Sequence, residues 1–128
     1  MNLLLDTHLL LWAAATPERL SKEALTMIQD LDNRLYFSAV SLWDVTIKSE
    51  LGRADFHVDP ALLRRGLVEN GYEELPVTST HAIEVGRLPA IHKDPFDRML
   101  VAQAGVEGLL LLTSGVVVAR YPGPIQLV

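Results

Sequence analysis

The chain contains no cysteine. That absence excludes a disulfide framework, thiolate-bound zinc and a cysteine nucleophile, and it fits a reducing, cytoplasmic setting. A basic excess is also missing: 11 lysines and arginines stand against 16 aspartates and glutamates, a formal net charge of −5. Nucleic-acid binders are usually basic. A polyanion site in this chain would therefore need its acidic residues gathered around metal ions, which invert the local field, with the basic residues at the rim. The opening MNLLLDTHLLLWAAA is strongly apolar, but it has no basic start and is interrupted by Asp6 and His8. It fits neither a signal peptide nor a membrane span, and no membrane association is expected. There is no internal repeat, low-complexity tract or linker, and no Gly-rich phosphate loop or serine nucleophile elbow.

What is present is enough for a packed core. Apolar residues make up 49% of the 128 and charged residues 21%, which argues for one globular domain over residues 1–128 and against disorder. A short apolar strand is expected at 2–5, then a helix over about 7–14 that ends before Pro17. Ser21 should cap a helix over 22–31, with Ala24, Leu25, Ile28 and Leu31 on its apolar face. A strand at 35–37 leads to a helix from Ser38 to about Leu51, closed by Gly52. Pro60 opens a helix that stops near Asn70-Gly71. A weak strand at 73–75 and a short helix at 78–86 follow. Asp94-Pro95 opens a long helix to Glu107, ended by Gly108, and strands are expected at 109–112 and 125–127. Short buried strands alternating with helices indicate a three-layer α/β domain around a parallel sheet. Trp12 and Trp43 lie on apolar helix faces and are assigned to the core.

Three carboxylates carry the chemical signal. Asp6 stands at the carboxyl end of the first strand, the edge where ligands bind in open α/β sheets. It is equally suited to cap the helix that starts at Thr7. Within His92-Lys93-Asp94-Pro95-Phe96-Asp97-Arg98, Asp94 is a natural helix cap beside a proline at the first helical position. Asp97 is less well explained that way, because it sits beside an apolar face. Asp44 lies inside a helix, where aspartate is a poor choice, and an i,i+4 pair with Lys48 is its plain alternative. Together, with no histidine or cysteine cluster, the three describe a hard-cation site for Mg²⁺ or Mn²⁺. Such a site suits phosphodiester hydrolysis. His8, His57, His81 and His92 show no metal-ligand spacing, and structural or surface roles are expected of them.

The order of these segments resembles a known family. Leu3-Leu4-Leu5-Asp6-Thr7-His8 with Leu10-Leu11-Trp12 resembles the opening of PIN-domain toxins of the VapC type. Ser38 to Lys48 is similar to their second motif. Leu88-Pro89, His92, Asp94 to Arg98, Ala102-Gln103-Ala104, Glu107-Gly108-Leu109 and Leu111-Leu112-Thr113 are similar to the third motif and the strand after it. The resemblance implies a PIN-like fold, a metal-dependent endoribonuclease acting on RNA, a VapB-like antitoxin partner and a homodimer. It implies metal ligation by Asp6, Asp97 and Asp44, the last where the family usually has the longer glutamate, with Asp94 as a neighbour. Gly115 departs from the pattern, since the family usually has an acid there. Thr113 and Ser114 are then the replacement oxygen donors. Lys48, Arg53, Lys93 and Arg98 are candidate contacts to RNA phosphates. Two alternatives are a PIN-like module that binds antitoxin or RNA without efficient cleavage, and a phosphotransfer domain. The second usually needs paired aspartates or a distal lysine, which are not evident here.

Overall fold

The leucines of the first strand are buried on both sides, and the architecture follows from that. In the computed structural model, which describes residues 1–52 and 57–128, β1 (Asn2–Leu5) is the central strand. It pairs in parallel with β2 (Arg34–Ser38) on one side and β4 (Leu110–Thr113) on the other. β3 (Glu73–Leu75) and β5 (Ile125–Leu127) complete a five-stranded parallel sheet of order β3-β2-β1-β4-β5. Successive side chains of a strand point to opposite faces. Leu3 and Leu5 accordingly join Phe37 and Leu112 in one core, while Leu4 joins Leu111 in the other. A strand covered on both faces reads as an unbroken apolar run.

Among the described residues, six α-helices supply the cover: α1 (Thr7–Ala15), α2 (Lys22–Gln29), α3 (Ala39–Glu50), α4 (Pro60–Glu69), α5 (Ser79–Val85) and α6 (Pro95–Glu107). α1 and α4 bury Leu9, Leu10, Leu63 and Leu67 in the first core, and α6 buries Leu100, Val101 and Ala104 in the second. α5 packs on α6. Short 3-10 helices at Pro17–Arg19 and Val118–Arg120 were not expected from the sequence. The expected stops hold: Gly108 ends α6 at φ 68°, a conformation glycine adopts at no steric cost, and its N–H bonds the Ala104 carbonyl.

Two expectations about side chains are corrected. α2 ends at Gln29, because Asp30 turns extended and accepts a hydrogen bond from the Asp32 N–H, redirecting the chain into β2. Leu31 is therefore off the helix and 99% exposed. Trp43 is 61% exposed, since α3 turns Val40, Ser41, Asp44 and Val45 inward instead. Its indole meets the Phe96 ring edge-on at 5.4 Å. Trp12 is half-buried against the first core, as expected.

Candidate metal centre

In this strand order the sheet is wound in opposite directions from β1 and β4, and the crevice at their carboxyl ends is the natural ligand site of an open parallel sheet. Asp6 follows β1 there, and Thr113 closes β4 beside it. Asp6 both caps a helix and faces this crevice. Its Oδ1 accepts the Leu9 N–H at 2.9 Å, capping α1. Its Oδ2 accepts the Thr113 hydroxyl at 2.7 Å and the Ser114 N–H at 3.3 Å.

Asp44 approaches from α3 but does not line the cleft. One turn earlier the Thr7 hydroxyl donates to Ser41 Oγ at 3.0 Å, tying the start of α1 to α3. The Asp44 side chain is buried, and Lys48 Nζ stands 3.3 Å from its Oδ1. Burial raises its pKa above the ordinary 3.8, the Lys48 charge opposes that, and nearby Asp94 adds to it. Asp94 caps α6 through Oδ1, which accepts the N–H groups of Phe96 at 2.8 Å and Asp97 at 3.2 Å. Asp97, in the first turn of α6, meets His92 Nε2 at 3.0 Å through Oδ2. Burial, then Asp94 and Asp6, raise its pKa, against His92. These couplings link all four carboxylates.

Asp6 and Asp97 line one cleft of about 380 Å³ together with His8, His92, Ser114 and Gly115. Asp44 and Asp94 adjoin it without lining it. Ligand atoms of His92, Asp94 and Asp97 lie within 4.8 Å of one another. A larger groove of about 510 Å³ between α1, α2 and α4 is lined by no carboxylate or histidine among the described residues.

The other expected residues fall out unevenly. The Thr113 hydroxyl donates to Asp6 and accepts the Gly115 N–H at 3.0 Å, so it is already engaged. Ser114 meets Asp6 through its backbone. Lys48 is drawn to Asp44. Lys93 is exposed and forms no ion pair among the described residues. Arg98 is spent internally: its guanidinium donates to the carbonyls of Pro89 and Val85 and to the Tyr121 hydroxyl. Arg53 lies outside the described residues.

His8 and His92 line the cleft, although structural or surface roles are expected of them from spacing; His92 falls within the motif that resembles the family's third. No sequence signal marks Tyr121. His81 is structural, as expected: it is fully buried, accepts the Thr78 N–H and meets Glu107 at 2.9 Å.

Comparison with solved structures finds the same fold over nearly the full chain. A chain in the crystal structure of VapBC2 from Rickettsia felis, bound to a DNA fragment from their promoter, matches with TM-score 0.72 and 14% identity, covering 98% of both chains. DNA-bound VapBC from Salmonella typhimurium gives 0.66 and 18%, covering 98% of this chain and 97% of the other. FitAcB from Neisseria gonorrhoeae gives 0.60 and 16%, covering 91% and 89%. At these identities the likeness is one of fold. No curated protein sequence matches significantly. The sequence itself matches the PIN domain family over residues 3–124, a span that takes in all four carboxylates, and the chain belongs to that family.

Proposed function

We propose that this protein is a divalent-cation-dependent endoribonuclease and the toxin half of a VapBC-type toxin–antitoxin pair. The observation that carries the proposal is the convergence of Asp6 and Asp97 on one cleft at the β1–β4 crevice, with Asp44 and Asp94 coupled to them. Burial and mutual repulsion make Asp44 and Asp97 reluctant to ionise, and a cation offsets that cost. Donors that are carboxylate oxygens, in a chain without cysteine, favour Mg²⁺ or Mn²⁺ over softer metals.

Asp6 and Asp97 would hold the ion, and Asp44 would join directly or through a water. Such an ion supplies a nucleophile at neutral pH and neutralises charge on the scissile phosphate. Thr113 and Ser114 keep Asp6 oriented, and His92 does the same for Asp97. Exposed Lys93, next to Asp94, offers a contact to an RNA phosphate. Hydrolysis of the RNA phosphodiester, leaving a 5′-phosphate, is the proposed reaction. Labelled RNA incubated with Mg²⁺, Mn²⁺ or EDTA, with Asp97→Asn alongside, tests it. Cleavage that needs the cation and disappears in the variant supports the reading, and cleavage indifferent to both refutes it.

Gly115 favours a second reading. It lines the cleft where the resemblance expects an acid, and a centre short of one ligand would bind antitoxin or RNA with little cleavage. Binding without cation-dependent cutting in the same assay would select it. The fold's likeness to chains of VapBC complexes supports a VapB-like partner, whose basic side chain would fill the acidic cleft. A neighbouring reading frame encoding a small DNA-binding protein that co-purifies with this chain tests the pairing. Sedimentation tests the proposed homodimer, and fractionation tests the cytoplasmic location. Among the described residues, no helix is long and apolar enough to cross a membrane.

A further inference from the structure

The segment that delivers His92 to Asp97 is fastened by two groups outside the acidic cluster. Tyr121, buried just after the Val118–Arg120 turn, engages both backbone polar groups of His92. Its hydroxyl accepts the His92 N–H at 2.8 Å and faces the His92 carbonyl at 3.3 Å as donor. Arg98 donates to the same hydroxyl at 3.1 Å and to the carbonyls of Pro89 at 3.1 Å and Val85 at 2.9 Å. Arg98 follows Asp97 directly, so the helical turn that carries the carboxylate also anchors the loop carrying its histidine. The imidazole then meets Oδ2 of Asp97 at 3.0 Å. The acceptor is a carboxylate, so Nε2 carries the hydrogen.

We propose that His92 is a positioning residue of the acidic centre: its Nε2–H fixes Asp97 through Oδ2 and leaves Oδ1 to a divalent cation, and the Tyr121–Arg98 clamp fixes His92. Hydrogen bonds from outside the ligand set that orient a metal-binding carboxylate are worth about 10–100-fold in metal affinity, because they hold the donor in the productive geometry before the ion arrives. The inference rests on the cation-site reading above.

Calorimetric titration with Mn²⁺ and with Mg²⁺ separates the possibilities, using the parent protein, His92→Leu, His92→Gln and Tyr121→Phe, each checked for folding by thermal melt. His92→Leu should weaken both cations by the same factor, about 10–100-fold. His92→Gln, whose amide offers an N–H to Asp97, should restore most of the affinity. Tyr121→Phe keeps the ring in place but frees His92, and should give an intermediate loss. Should His92→Leu fail to fold, Tyr121→Phe against parent decides: an unchanged affinity refutes the clamp. A His92→Leu protein that binds both cations as the parent does overturns this inference alone. A loss much larger for Mn²⁺ than for Mg²⁺, without rescue by glutamine, would make His92 a direct ligand and also overturn it. A parent protein that binds neither cation overturns the cation-site reading and this inference with it.

Discussion

Thr113 and Asp6, 107 residues apart, are joined by a 2.7 Å hydrogen bond from hydroxyl to carboxylate. Both side chains are buried at the floor of the cleft, so loss of the donor leaves Asp6 Oδ2 with only the Ser114 N–H as a protein partner. Thr113→Val keeps the shape and deletes the donor, and it also leaves the Gly115 N–H without the Thr113 oxygen. A hydrogen bond to a charged group is worth about 1.5–3 kcal/mol. Urea unfolding should report a loss of that size. An unchanged midpoint and slope would show that Asp6 is held well enough by the Leu9 and Ser114 N–H groups.

Asp97→Asn should abolish cleavage while stabilising the metal-free fold at neutral pH. Burial, followed by Asp94 and Asp6, raises the Asp97 pKa above 3.8 in the folded protein. A carboxyl raised on folding holds its proton more tightly folded than unfolded. Its stabilising contribution is complete below 3.8 and is lost as pH rises through the raised value. At pH 7 the ionised group is therefore a liability in the metal-free fold. The asparagine variant should melt above the parent in EDTA, and the gap should close as the buffer approaches the ordinary carboxylate pKa. A variant that melts lower across the whole range would contradict this.

Gly115→Asp should strengthen cation binding. Gly115 is not among the glycines with positive φ, so a side chain meets no backbone strain. An added Cβ would lie 3.4 Å from Thr113 Oγ1 and 3.5 Å from Val118 Cγ2, ordinary contacts. A carboxylate placed in the cleft adds a charged oxygen ligand, and affinity rises with ligand charge count. Mg²⁺ titration and cleavage at limiting metal check the prediction. No gain in either would mean that the existing carboxylates already complete the site.

Gln103→Leu should cost stability without touching the centre. The fully buried amide accepts the Ser38 hydroxyl at 2.6 Å, and its nitrogen donates to the Pro76 carbonyl at 3.2 Å and stands 3.4 Å from His81 Nδ1. Leucine has similar size but orphans the Ser38 hydroxyl hydrogen and the Pro76 carbonyl, while His81 Nδ1 keeps the Thr78 N–H, at about 1–3 kcal/mol for each group left unsatisfied. Denaturant unfolding should register the loss while Mn²⁺ affinity stays at the parental value. A loss of Mn²⁺ affinity would tie this network to the centre.

Much of this was readable in the residues, for identifiable reasons. The leucine runs at 3–5 and 109–112 announce buried parallel strands because nothing but a two-sided core tolerates them. Asp94-Pro95 and Gly108 mark the ends of α6 because capping is local chemistry. Leu31 and Trp43 misled because periodicity locates an apolar stripe without saying where the chain must turn or which face is covered. Arg98 looked like a phosphate contact, but its partners are carbonyls at Val85 and Pro89 that only the folded loop brings near. The grip of Tyr121 on His92 joins segments 29 residues apart, and no local pattern encodes such a meeting. Asp6 was legible only as an ambiguity, and the structure shows it capping the helix and facing the cleft at once.

The central strand precedes both of its neighbours in sequence, and it gains one of them only when Leu110–Thr113 arrives. Until then one edge of β1 is unpaired, Asp6 lacks the Thr113 hydroxyl, and Asp97 has no opposite wall. A growing polypeptide therefore carries Asp6, one half of the acidic cleft, with nothing to close it. A fragment stopped before β4 would present an open, leucine-rich edge, the kind of surface that invites mispairing.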